Sequence, residues 1–441
     1  GLPPDLRPPK LEADRARARS MFRADSDWVR ADITVTTDAD QTPIAPGQAV
    51  SEQVADGRRT VRFVPRAPIN HFFSIQSARY AVERDRLGDI ELAVYHHPAH
   101  PYNVQRMLKA MKASLALFSE IFSPYPFNQA RILEFPAYAR FAQSFANTIP
   151  YSEGIGFIAR LTDPEKIDMA TYVTAHEIAH QWWGHQLVPA DQQGATMLVE
   201  SLSQYSALLV MERLYGREQI RRFLKYELDR YLRDRGGEVV EELPLARVEN
   251  QPYIHYQKGS LARYWLKEVV GEEVVNGVLA ELLRRHAFKA APYPNTQDFL
   301  RLLRERAGPQ HATLIDDLFE RITLWDLKAT AARASRLPDG RWQLELDVEA
   351  KKLHADGQGR ETEAPMDEEV DVGLFSAEPG RGAVDADAVL AFERQRVRSG
   401  RSTLTLVAPA SDAPPAWAGI DPYHKRIDRH AGDNLLPVTL R

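Results

Sequence analysis

Cysteine is absent from all 441 residues. That excludes disulfides, thiolate metal ligands and a cysteine nucleophile, and leaves the redox compartment open. No stretch approaches the roughly 18 uninterrupted apolar residues of a membrane-spanning helix, and the start of the chain lacks the apolar core of a signal peptide. A surplus of either charge is missing too, since 56 lysines and arginines stand against 61 acids for a formal net charge of −5. Such a balance gives no global electrostatic reason to bind nucleic acid. No repeat of fixed period runs through the chain.

What remains is an ordinary folding composition, 44% apolar and 27% charged, which disfavours wholesale disorder and collagen-like structure. At about 150 residues per domain the length predicts two to four domains with room for a cleft. The chain opens on Gly1 and a proline-rich stretch through Pro9, which reads as an extended linker over residues 1–20 and as part of something longer. Alternating apolar positions at Ile33 and Val35, Val61 and Phe63, Phe72 and Ile75, and Ile90, Leu92 and Val94 predict a β-rich region over 21–100. From Asn103 the period lengthens. Val104, Met107, Met111, Leu115 and Phe118 form one stripe of an amphipathic helix. A mostly helical region follows over 101–330, with a short strand at 131–134 and helical patterns at 168–184, 195–213, 217–233, 258–270 and 296–321. Alternation returns at Trp342, Leu344, Leu346 and Val348, at Val370, Val372 and Leu374, and at Leu404 and Leu406, the pattern of a β-sandwich over 337–441. The expected fold class is multidomain α+β.

The string that carries chemistry runs from Val173 to His185 and contains His176-Glu177-Ile178-Ala179-His180. Two histidines four apart share a helix face and can converge on one metal ion. Glu177, one residue and about 100° further round the helix, turns away from ligation and toward where a metal-bound water would sit. A zinc ion that activates water needs a third protein ligand and an open fourth position. Glu200 is the candidate, an isolated acid inside the apolar run from Met197 to Leu209, where burial is costly unless the charge is paired or bound to a metal. Trp182 and Trp183 read as packing residues. His185 competes as third ligand, but the metzincin pattern sets glycine three and histidine six residues beyond the second histidine. Here Gly184 and His185 stand four and five beyond, so His185 reads as structural or as a wall of the pocket.

Two further strings are less specific alone. Asn250 to Gly259 introduces another helix, and Tyr256 within it is either an ordinary half-buried tyrosine or a hydroxyl donor for an oxyanion. Gln143 to Phe157 includes Glu153 beside Gly154, a loop acid or an anchor for a cation.

Taken in this order and at these distances, the three strings resemble the zinc aminopeptidases of the aminopeptidase N and leukotriene hydrolase family. The run His176-Glu177-Ile178-Ala179-His180-Gln181-Trp182-Trp183-Gly184 is similar to that family's His-Glu-x-x-His-Gln-Trp-Phe-Gly, and Tyr256-Gln257-Lys258-Gly259 to its Tyr-Glu-Lys-Gly. The resemblance implies a thermolysin-like catalytic domain between a partial N-terminal β-domain and the C-terminal β-sandwich. It also implies Zn2+ on His176, His180 and Glu200, Glu177 as general base, Tyr256 on the tetrahedral intermediate, and Glu153 on the free α-amine of a peptide substrate. The chain departs from the pattern in having nineteen residues between His180 and Glu200, Val199 before the ligand, and only the glutamate of the amine-binding loop. The same regions look like peptidase domains at the end of bacterial transporter-permease polypeptides, which implies a tether to a membrane transporter through residues outside this chain. The expected activity is removal of N-terminal residues from peptides, without a nucleic-acid partner and with a lean toward the extracytoplasmic side. The rivals are a zinc endopeptidase and an inactive peptide-binding or regulatory domain.

Overall fold

The computed structural model describes residues 6–22, 26–163, 166–380 and 386–441. Near the start, β1 (Ile33–Asp38), β2 (Gln48–Ala55) and β3 (Arg58–Val64) form an antiparallel sheet in the order β1-β3-β2. Asp56 and Gly57, at φ 52° and 72°, make the tight turn that an Asp-Gly pair favours. Val61 and Phe63 are buried on one face, while β2 is exposed along its whole length. The strand expected at Phe72 and Ile75 does not form. Phe72 instead stacks on Phe22 at 5.3 Å and meets Phe145 at 5.0 Å, so its burial comes from ring contacts and not from a pleat.

A second, mostly parallel sheet follows. It runs β7 (Thr148–Ser152), β6 (Gln129–Phe135), β5 (Ile90–His96), β4 (Ala81–Leu87), with β5, β6 and β7 parallel and β4 antiparallel to β5. α1 (Val104–Ile121) crosses between β5 and β6 and buries the apolar stripe read from the sequence, as a parallel pair requires. Both β6 and β7 are buried throughout. The sequence yielded only residues 131–134 of β6, and Pro150 hid β7 because a proline argues against a strand.

The helices are α2 (Met169–Ala179), α3 (Leu202–Tyr215), α4 (Ile220–Arg235), α5 (Gly259–Val270), α6 (Glu272–His286) and α7 (Thr296–Ala307). α6 was not anticipated: Gly277 inside it weakens the helical signal. The pattern expected over 296–321 is interrupted after α7 by Gly308 at φ 85° and resumes from Pro309 as short helical turns through Glu320. The first C-terminal strand, β8 (Ile322–Arg336), lies before the expected start of the sandwich, because its alanine-rich second half reads as helix. β9 (Trp342–Ala355) pairs with β8 and with β12 (Gly400–Ala408), whereas β10 (Asp367–Phe375) pairs with β11 (Val389–Arg398) and β13 (Trp417–Ile420). Leu344, Leu346 and Val348 of one sheet and Val370, Val372 and Leu374 of the other join one core with the helices. The molecule is therefore a mixed α+β structure with sheets at both ends and helices between.

Residues 6–22 are no free linker. Arg7 pairs with Glu241 and Glu249 at 2.8 and 2.5 Å, Gln193 N donates to Pro9 O, and Arg17 bonds Tyr293 O and Asp298. Residues 1–5 of that expected linker lie outside the described set. No described helix is long and apolar enough to cross a membrane.

Candidate metal centre

Asp168 caps α2 by accepting from Thr171 N at 3.1 Å. The helix is almost wholly buried and ends at His180, where the chain folds back through Gly184 at φ 117°, a conformation suited to glycine. Trp182 and Trp183 are fully buried, their indole N–H groups bonding Ser123 O at 2.9 Å and Ser206 Oγ at 3.2 Å.

His176 and His180 lie one turn apart with their Nε2 atoms 3.0 Å from each other. Glu200 stands on a π-type turn (Met197–Ser201) that leads into α3, and its Oε2 is 3.3 Å from both nitrogens. A tetrahedral ion with bonds of about 2.0–2.1 Å needs ligand atoms about 3.3 Å apart, so the three donors fit. His180 Nδ1 is 3.0 Å from Trp183 O and so carries the ring hydrogen, leaving the Nε2 lone pair toward the cluster. Glu200 Oε2 is buried without a partner other than the two Nε2 atoms it faces. Converging lone pairs of this kind suit a cation between them.

Burial opposes charge on Glu200, but His180 and His176 hold its carboxyl well below the usual range. Burial likewise opposes charge on His180, and the Glu200 carboxylate overrides it, raising the imidazole to about 9. A proton there and a metal ion compete for the same lone pair. Glu177 is buried beside them; burial pushes its carboxyl up, while His176 and His180 pull it down. Tyr256 sits on a second π-type turn (Tyr253–Lys258), its ring 5.7 Å from that of His176. Burial, then the Glu200 and Glu177 carboxylates, raise its phenol far above normal, so it remains a neutral O–H donor.

Glu153 is not brought into this group. It opens a third π-type turn (Glu153–Phe157) just after β7, accepts from Ala137 N at 2.9 Å and lies 3.6 Å from His100 Nδ1, which also bonds Glu134. Sequence reading missed this His100–Glu134–Glu153 triad, although Glu134 inside the apolar strand β6 was a signal of a paired buried acid. It also missed Ser144 and Gln181, which bond each other at 2.7 Å beside Glu177.

Residues 106–321 match the Peptidase family M1 domain. The chain carries an M1 domain. Endoplasmic reticulum aminopeptidase 2 of Homo sapiens is 24% identical over 214 residues, 46% of this chain and 22% of that protein. Aminopeptidase M1 of Arabidopsis thaliana is 24% identical over 314 residues, 67% and 34% of the two chains. The chain thus spans about a third or less of these curated relatives. An M1 zinc metallopeptidase from Deinococcus radiodurans, solved as a mutant with a Tyr-Ser-Ala substrate, superposes with TM-score 0.52 at 19% identity, covering 66% of this chain and 64% of that one. The likeness establishes a shared fold. The π-type turns that bear Glu200 and Tyr256 both lie within the M1 domain, and such turns are frequent at functional sites.

Proposed function

We propose that the chain is a zinc metallopeptidase that removes N-terminal residues from peptides. The convergence of His176, His180 and Glu200 beside the buried carboxyl of Glu177, inside an M1 domain, carries the reading. The aminopeptidase names of the relatives support the exopeptidase direction. His176, His180 and Glu200 would hold a zinc ion, which would supply Lewis-acid polarisation of the scissile carbonyl. Glu177 takes the proton of the attacking water and delivers it to the leaving amine. Tyr256 donates its hydroxyl to the oxyanion. The burial of Glu177 raises its proton affinity toward what a general base at neutral pH needs.

An endopeptidase is the second reading, favoured by the engagement of Glu153 with Ala137 and His100, which leaves it away from the metal group. A tether to a membrane transporter permease, with an extracytoplasmic location, belongs to the proposal and rests on the sequence resemblance alone.

Metal analysis combined with matched free and N-acetylated peptides tests the reading. One zinc per chain is expected, with cleavage of free peptides only, lost on chelation and restored by zinc. Equal cleavage of the acetylated peptides would establish the endopeptidase. A zinc-replete protein that cleaves neither would leave a peptide-binding domain.

A further inference from the structure

His185 is the residue of the metal-binding string that the metal cluster does not use. Its Nε2 lies 2.7 Å from Ser144 O, and with a carbonyl as partner it must be the donor. Ser144 belongs to a short edge segment that runs antiparallel beside β7, bridged from Ala142 to Tyr151 and from Phe145 to Thr148. The Ser144 hydroxyl donates to the main-chain carbonyl of Glu177 at 2.9 Å and accepts from Gln181 Nε2 at 2.7 Å. Gln181 Nε2 also donates to Phe145 O at 2.8 Å, while its Oε1 accepts from Asn147 N at 2.6 Å. A run of rings closes the same circuit: His185 stacks on Phe22 at 6.2 Å, Phe22 on Phe72, and Phe72 meets Phe145. Every one of these groups is at least half-buried.

The main-chain carbonyl of Glu177 within α2, with Gln181 and His185 beyond its end, therefore grips one segment of the sheet edge. We propose that His185 is a positioning residue: with Gln181 it clamps residues 142–145 onto α2 and, through Ser144, fixes the orientation of Glu177 relative to the metal cluster. His185 itself is held neutral, its imidazole pushed by burial down to about 4. The proposal rests on the peptidase reading for its kinetic consequence and on the hydrogen bonds alone for the clamp.

His185→Phe keeps a ring over Phe22 and removes the donor, whereas His185→Gln keeps an N–H at similar reach. In His185→Phe, zinc stoichiometry should stay at wild type, kcat should fall about tenfold with KM within about twofold, and amide exchange over residues 143–147 should quicken about tenfold, in zinc-free protein as well. His185→Gln should restore both readouts. Wild-type kcat in His185→Phe, unchanged exchange, or equal loss in His185→Gln would overturn the proposal. If His185→Phe does not fold, Gln181→Met carries the same expectation. A wild-type protein that hydrolyses no peptide would end the peptidase reading, and exchange in the zinc-free protein would then decide the clamp.

Discussion

Glu177 and a glutamine in its place have nearly the same shape, so Glu177→Gln isolates the proton transfer from the packing. The ligand atoms of His176, His180 and Glu200 do not depend on it. The variant should therefore bind one zinc per chain while kcat falls by about 10²–10⁴, the usual worth of a general base. Steady-state kinetics beside metal analysis check this, and wild-type turnover at full zinc loading would remove Glu177 from the role. At this scale the histidine pair and Glu177 were legible, because helix geometry sets their faces from spacing alone. Glu153 and His185 were not. Their partners Ala137, His100 and Ser144 are brought near by strand pairing, and nothing local in sequence names them.

Two elements meet at Gly259. A Cβ there would strike Ser201 Oγ and Cβ, and Ser201 Oγ also bonds His255 O. The glycine thus allows the turn carrying Glu200 to lie directly against the turn carrying Tyr256, and φ plays no part, since its backbone is ordinary helix at −60°. Gly259→Ala should cost about 1–3 kcal/mol as overpacking. It should also weaken zinc affinity, since the added methyl pushes the Glu200 turn outward. Denaturant unfolding and competitive chelation measure the two effects, and an alanine accepted without either loss would show that the contact is not tight. Most helices were readable from their 3.6-residue stripes. The π-type turns were not, because one extra residue in a turn leaves no periodic mark.

Across the whole molecule, the C-terminal sheets dock on α5 through a buried charge cluster. Lys425, fully buried, lies 2.9 Å from Glu268 Oε2 and 2.8 Å from Asp371 Oδ2, and Arg217 and Arg394 also reach Glu268. Burial opposes charge on Glu268, but Lys425 and Lys267 outweigh it and hold its carboxyl down to about 2 against an ordinary 4.5. The native state then binds fewer protons than the unfolded chain. This stabilisation is complete above about pH 4.5 and is lost as pH falls toward about 2. Lys425→Met takes the buried ammonium from two carboxylates that keep other cations, Lys267, Arg217 and Arg394 on Glu268 and Arg394 on Asp371, and should cost about 1.5–3 kcal/mol at neutral pH, with a shallower loss between pH 4.5 and 2. Urea unfolding across that range tests it, and unchanged stability at pH 7 would show that the cluster contributes no net docking energy.

The sequence by itself determined the helix pair of histidines, the glutamate beside them, the central amphipathic helices and the alternation of the outer sheets. Each depends on the 3.6- or 2-residue period of one element. Tertiary structure alone decided that residues 6–22 lie along the helical region, that Glu153 joins His100 and Glu134, and that His185 holds Ser144. Those outcomes depend on which distant segments share a buried space, where an unpaired polar atom is costly enough to select its partner.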